Sequence, residues 1–276
     1  MQKITSRENP KLKFARRVRD SREKGSIFVE GVRLAEEALR SRAAVNEIFV
    51  SGDFNQNERT GELIQNFQSK NISINEVSAK IFGSIADTKT SQGIILICEK
   101  PETRKETFET EFSRQKDKLP VVVFLHEINN PSNLGAILRT AEAVNAAGIV
   151  ISENSADVFS PKSLRASMGA GFRLNLWTNA GFTEVLEWAR EKNLVSTAAD
   201  VNAAKSYSEI DWTKPRLLVF GSEAHGLSAE NFREIDESLI IPMENEVESL
   251  NLAVSCGIIL FEAKRQSKTE SSNLCR

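Results

Sequence analysis

Five polar residues between positions 133 and 251 of this 276-residue chain have the types and spacing to act on one substrate. Asn133 and Arg139 lie in Asn129-Asn-Pro-Ser-Asn-Leu-Gly-Ala-Ile-Leu-Arg-Thr-Ala141, and Glu223 lies in Phe220-Gly-Ser-Glu-Ala-His-Gly-Leu-Ser228. Ser249 and Asn251 lie in Ile241-Pro-Met-Glu-Asn-Glu-Val-Glu-Ser-Leu-Asn-Leu-Ala253. An arginine fork can hold a phosphate through parallel hydrogen bonds and stabilise an oxygen that becomes anionic. A carboxylate and two amides can orient such a group. Each residue also has an ordinary alternative: Asn133 can cap a helix over 133–146, Arg139 can pair with Glu142 or Glu153, and Ser249 and Asn251 can cap the next helix. A multi-histidine metal site is not available, because His126 and His225 are the only histidines. Neither a P-loop, a G-x-G-x-x-G turn nor a serine elbow follows any strand.

These segments need a scaffold, and the apolar pattern supplies one. Strands are expected at 121–125, 148–152, 194–198, 217–221 and 238–242, with helices at 133–146, 181–192 and 249–264. Uninterrupted apolar runs such as Val121–Leu125 suit parallel strands covered on both faces, and ligands bind at the carboxyl ends of such strands. The last helix is apolar nearly all round until Glu262, which predicts burial on every side. A smaller α/β layer precedes this region. Helices at 9–24, 32–40, 58–68 and 79–85 alternate with strands at 27–29, 47–51, 72–77 and 93–98. Residues 99–118 are mostly charged, with only Phe108 and Phe112 as anchors, and read as a linker that can be part helical. The boundaries are therefore 1–98, a linker over 99–118, 119–268, and a polar, frayed tail over 269–276.

Hydrophobic residues make up 40% and charged residues 27%, which excludes wholesale disorder and fits an ordinary soluble domain pair. The apolar runs are too short to span a bilayer, and Met1-Gln2-Lys3-Ile4 has no apolar signal core. Cysteines 98, 256 and 275 show no paired spacing and read as reduced thiols, so a cytoplasmic location is expected. The net charge of −2 is uneven: residues 1–24 carry nine basic against three acidic side chains, a net +6. Such a segment, with Lys11, Lys13, Arg16 and Arg17 on one helix, is suited to phosphates, or is simply a solvated face.

Taken together, Asn-x-Gly-x-x-x-Arg-Thr-Ala, Gly-Ser-Glu-x-x-Gly-Leu and Ile-Pro-Met-x6-Leu-Asn resemble the signature motifs of the SpoU (TrmH-type) RNA methyltransferases. Ile4-Thr-Ser-Arg-Glu-Asn-Pro-Lys-Leu-Lys13, Phe28-Val-Glu-Gly-Val-Arg33 and Gln92-Gly-Ile94 resemble that family's N-terminal RNA-recognition domain. The resemblance implies an α/β chain: a small L30e-like domain followed by a SPOUT α/β-knot (trefoil-knotted) methyltransferase domain. It implies methyl transfer from S-adenosylmethionine to a ribose 2′-hydroxyl, in ribosomal RNA of the 23S type, by a homodimer formed through the knot domain, with no metal and no membrane.

By the same resemblance, Asn133 and Arg139 sit at the reacting ribose, Glu223 helps to hold that arginine, and Ser249 and Asn251 form the third motif's polar pair. Gly221, Ile241, Met243, Ser249 and Leu250 would hold the methyl donor. Lys11, Lys13, Arg16, Arg17, Arg33 and Arg165 would face RNA. The family offers Arg139 as proton acceptor, although a guanidinium normally stays protonated. Asn129-Asn130 stands where many members read Gln-Asp, so no acid is available at 130. Two other readings share the scaffold: a non-catalytic RNA-binding protein, and a tRNA- or base-directed knotted methyltransferase.

Overall fold

The computed structural model describes residues 1–54, 57–114 and 117–273, without the side chains of 269–273. Along the chain the elements are β1 (Gln2–Ile4), α1 (Pro10–Arg19), β2 (Ser26–Glu30), α2 (Val32–Arg40), β3 (Val45–Ser51), α3 (Glu58–Ser69), β4 (Ser73–Val77), α4 (Ala79–Phe82) and β5 (Ile94–Glu99). There follow α5 (Lys105–Arg114), β6 (Leu119–Leu125), α6 (Pro131–Val144), β7 (Ala146–Ser152), α7 (Pro161–Ser167), β8 (Leu176–Ala180) and α8 (Phe182–Glu191). The chain continues with β9 (Val195–Ala199), β10 (Arg216–Phe220), α9 (Ala229–Arg233), β11 (Glu237–Leu239) and α10 (Leu252–Asn273). It divides into two compact units: Met1–Pro101 with Asp157–Arg173, and Glu102–Ala156 with Leu174–Arg276.

The first unit holds a five-stranded sheet in the order β1-β4-β3-β5-β2. β1, β4 and β3 run parallel, while β5 is antiparallel to β3 and β2. Its core includes Leu12, Ala15 and Val18 of α1 against Phe28, Phe49 and Ile97. α1 starts where its sequence says it should, with Pro10 at the first turn and Asn9 accepting the Lys11 N–H at 2.9 Å. The pieces Phe28–Arg33 and Gln92–Ile94 meet in space. Gly31 donates its N–H to the Ile94 carbonyl at 3.0 Å, and Gln92 Oε1 accepts the Val32 N–H at 2.9 Å. Gly31 has φ +103°, and a Cβ there would sit 3.0 Å from Gln92 Oε1, so only glycine fits.

The excursion Asp157–Arg173 packs with this first unit, although it lies between β7 and β8 in sequence. Arg165 pairs with Asp87 at 2.8 Å and Arg173 with Glu37 at 2.6 Å. Sequence periodicity had no means of assigning these residues, because their partners are distant in the chain.

The second unit is a six-stranded sheet in the order β11-β9-β10-β6-β7-β8, every pairing parallel. The uninterrupted apolar strands take the middle: β7 and β10 are buried throughout, and β6 at all but Pro120. Three expectations need correction here. Residues 99–118 are not simply a linker, since α5 turns Phe108 and Phe112, four apart and so on one face, onto Trp188 at 5.4 and 5.3 Å. α10 is not buried on every side. Cys256, Ile259, Leu260 and Ala263 are buried, but Val254 is 51% and Phe261 56% exposed. The backbone of α10 also continues as helix to Asn273, where a frayed tail was expected; residues 274–276, Cys275 among them, lie outside the described residues. Cys98 and Cys256 are free and buried, and burial pushes the Cys98 thiol up to about 12.

Candidate active site

The three motif segments leave the carboxyl ends of β6, β10 and β11, on the side where parallel sheets place ligands. A chain of polar side chains ties them together. Asn251 Nδ2 donates to Asn133 Oδ1 at 3.0 Å, and Asn133 Nδ2 donates to Glu223 Oε1 at 3.3 Å. The Glu223 carboxylate also accepts the main-chain N–H groups of Asn129 at 3.2 Å and Asn130 at 3.3 Å. Asn251 Oδ1 accepts the Ala253 N–H at 2.9 Å and the Val254 N–H at 3.3 Å, so it starts α10 as well. Asn133 has two partners and Asn251 three, which fixes both amides in one orientation.

Local chemistry explains how each loop is held. Asn130 caps α6 by accepting the Ser132 N–H at 2.9 Å, with Pro131 at the first helical position. Asn133 is therefore inside α6 and free to face Glu223. An aspartate at 130 would cap equally well, so the departure at Asn129-Asn130 leaves the turn intact. Gly221 is required by close approach: a Cβ there would lie 2.2 Å from the Gly226 carbonyl carbon. Ser222 and Gly226 exchange main-chain hydrogen bonds at 3.1 and 2.9 Å, closing a tight loop that presents Glu223.

Arg139 is exposed on α6. Six residues beyond Asn133 at about 100° each puts it roughly 240° around the helix, so the two do not share a face. Among the described residues Glu223 makes no ion pair with Arg139; its bonds go to Asn129, Asn130 and Asn133. The expectation that Glu223 holds the arginine is not met within this single chain. Ser249 and Leu250 are exposed, while Ile241 and Met243 are half-buried beside them in the loop from β11 to α10.

The residues expected to face RNA belong to the first unit. Lys11 is engaged within the fold, pairing with Glu47 and donating to Ser73 and Asn75 at 3.3 Å. Lys13 pairs with Glu8 at 2.8 Å, and Arg16 donates to the Arg7 carbonyl at 3.0 Å and to Ser84 at 3.2 Å. Arg17 pairs with Glu23 and lies over Phe14. Arg33 is exposed, and Arg165 is tied to Asp87.

Sequence reasoning missed His126, one residue past β6. Its N–H donates to the Phe220 carbonyl at 2.9 Å, and its Nε2 lies 3.1 Å from Asn231 Nδ2. Nδ1 is buried without a partner among the described residues, and burial holds the imidazole below its usual range. Its only sequence signal was a polar residue closing an apolar strand.

A methyl donor needs a shaped, largely apolar cup with main-chain donors and no metal. Gly221 gives a loop whose main chain is bare of side chain, and Ile241, Met243 and Leu250 give apolar surface. Among the described residues no three histidine, cysteine, aspartate or glutamate side chains are grouped to hold a metal ion. The residues present fit such a donor.

Comparison with known proteins decides the family. Residues 120–261 match the SpoU rRNA methylase family, and residues 28–104 match the RNA 2′-O ribose methyltransferase substrate-binding domain. The chain belongs to the SpoU rRNA methylase family. It is an S-adenosylmethionine-dependent RNA ribose 2′-O-methyltransferase. It is 28% identical to the 23S rRNA (guanosine(2553)-2′-O)-methyltransferase RlmP of Bacillus subtilis, over 96% of this chain and 100% of that one. An uncharacterized tRNA/rRNA methyltransferase of Synechocystis is 29% identical, over 98% of this chain and 96% of its own length. The AdoMet-bound rRNA methyltransferase of Sinorhizobium meliloti is 28% identical, with a TM-score of 0.82 over 96% of this chain and 97% of that one. In this SpoU member the three motifs converge through Glu223, Asn133 and Asn251, not through Arg139.

Proposed function

We propose that this SpoU enzyme methylates a ribose 2′-hydroxyl in large-subunit ribosomal RNA, as a homodimer with a trefoil-knotted catalytic domain, in the cytoplasm. The observation that carries the site assignment is the Asn251–Asn133–Glu223 chain, which draws three loops to one place at 3.0 and 3.3 Å. S-Adenosylmethionine, when bound, supplies the electrophilic methyl group. Gly221, Ile241, Met243, Ser249 and Leu250 hold it, on a loop that leaves no space for a side chain and on apolar surface that excludes water.

Asn133 and Asn251, their amides fixed, orient the ribose, and Glu223 keeps the loop entering α6 in place. Arg139 carries a charge that grips the neighbouring phosphate and stabilises the negative charge on the 2′-oxygen as it attacks the methyl group. Its exposure supports a site completed by RNA and a second protomer. Leu250 at 36%, Val254 at 51% and Phe261 at 56% exposure form an apolar face that a second copy would cover. Lys13, Arg16, Arg17, Arg33 and Arg165 support RNA binding by the first unit, with Lys11 contributing through the fold. Among the described residues no helix is long and apolar enough to cross a membrane.

The test is to map 2′-O-methyl sites in total RNA from cells with and without the protein. A single ribose methylation lost from the large-subunit RNA is expected. Loss of a base methylation, or of a tRNA site, would replace the reading.

A further inference from the structure

The substrate-binding unit contains a cavity that the methyltransferase reading does not use. It has a volume of about 590 Å³ and opens at the carboxyl ends of the three parallel strands β1, β4 and β3. Ile4, Ala79 and Ile81 form its walls, and Asp53 and Glu76 bring two carboxylates to it. The ends of parallel strands are where α/β sheets place ligands. Lys3 is the cation on its rim, 3.8 Å from Glu76, with the lysine side chain 76% and the glutamate 39% exposed. Asp53 is better fixed, because the Ser51 hydroxyl donates to its Oδ1.

Charge excludes one obvious occupant. Two carboxylates against one lysine would repel a phosphate, although this unit is built for RNA. An apolar-walled cavity with acceptor oxygens suits a nucleobase instead, inserted from a single-stranded stretch and read on its Watson–Crick edge. The four bases differ there. Adenine and cytosine set an acceptor nitrogen beside the amino group, and uracil flanks one N–H with two carbonyls, so each turns a lone pair towards a carboxylate. Guanine alone offers two adjacent donors, N1–H and the N2 amino group, which match the two oxygens of one carboxylate.

We propose that this cavity binds one unstacked guanine of the RNA substrate, with the Asp53 carboxylate accepting both N1–H and N2–H. Ile4, Ala79 and Ile81 cover the faces of the base, and Lys3 meets the phosphate outside the cavity. The inference rests on the RNA-methyltransferase reading for the class of substrate, and it adds a base that the substrate must present away from the reacting ribose.

The experiment measures binding of fluorescein-labelled hexaribonucleotides to the full chain: five uridines and one central guanosine, adenosine or cytidine, against all-uridine. A single bidentate base contact should favour the guanosine oligomer by about fivefold or more. Asp53→Asn should abolish that preference without weakening all-uridine binding, since it removes a charge that repels phosphate. Ala79 is exposed, so Ala79→Phe fills the cavity without disturbing the core, and should abolish it too. Equal affinity for the four oligomers, no measurable binding of any of them, or a guanine preference that survives both variants overturns the proposal. S-Adenosylmethionine binding, measured on the same samples, reports on the methyltransferase reading separately.

Discussion

Each unit of this protein uses a glutamate to hold a loop, and the two do so in opposite surroundings. In the first unit Glu30, 5% exposed, accepts the Asp87 N–H at 2.8 Å, the Thr88 N–H at 3.2 Å and the Thr88 hydroxyl at 2.6 Å. In the second unit Glu223 is exposed, and accepts two main-chain N–H groups and one amide at 3.2 to 3.3 Å. The partner sets are nearly the same. What differs is access to water, and that sets what each contact is worth. Donors buried without a partner lose their full hydration, whereas exposed donors recover it from solvent. Glu30 is therefore a stability residue and Glu223 a positioning residue, although their hydrogen-bond diagrams look alike.

The sharpest separation of rate from stability comes from Arg139, the charge proposed to act at the 2′-oxygen. Arg139→Ala should lower the single-turnover methylation rate by on the order of 10²–10³, with donor affinity and Tm nearly unchanged. Arg139→Lys should also be poor, because a point charge cannot replace the planar fork. A near-normal rate in the alanine variant would remove Arg139 from the mechanism.

Glu30→Ala should show the reverse pattern. Removing the buried carboxylate that holds the part-buried Asp87 and Thr88 donors should destabilise the protein by about 1–3 kcal/mol, read by urea denaturation, with S-adenosylmethionine affinity intact. Should stability stay within 1 kcal/mol of wild type, burial would not be what distinguishes the two glutamates, by the same scale.

Glu223→Gln should fall between these. The amide keeps the shape but offers one acceptor oxygen, so the Asn129–Asn133 turn loosens and the rate falls about tenfold, or about 1.4 kcal/mol. Tm should barely move. A large fall in Tm with an unchanged rate would make Glu223 the equal of Glu30.

The smallest effect concerns His126, half-buried at the end of β6 and intermediate between the two glutamates. Burial depresses its folded-state pKa, opposed weakly by Glu127. The unfolded chain then binds a proton more readily, so stability from this residue is complete above the ordinary imidazole range. It is lost as pH falls through that range towards the depressed value. Urea denaturation from pH 8 to 5 should show a steeper acid loss in wild type than in His126→Gln. Parallel profiles would show that the ring stays hydrated.

Much of this was readable from residues alone, for identifiable reasons. The helix from Val32 to Arg40 and the apolar strands β6, β7 and β10 follow from local patterns, because periodicity and burial coincide there. The seat of α5 was unreadable because charge dominates its composition, while two aromatics four apart suffice to hold it on Trp188. Capping was the ordinary alternative for Asn133, and Asn130 holds that place because it precedes Pro131. The exposed face of α10 was unreadable, since an apolar helix looks the same whether its cover is this chain or another.

The sequence by itself determined the alternation of strands and helices, the turn residues that start α1 and α6, and the presence of asparagine, arginine and glutamate in three loops after strands. Those are local properties, set by side-chain chemistry and by neighbours a few residues away. Only the tertiary structure decided that Glu223 reaches back 90 residues to Asn133 and that Asn251 reaches 118, that Lys11 is committed to Glu47, and that Asp157–Arg173 joins the first unit. Such choices depend on which surfaces chain closure brings within 3 Å of each other, and no short window of sequence carries that information.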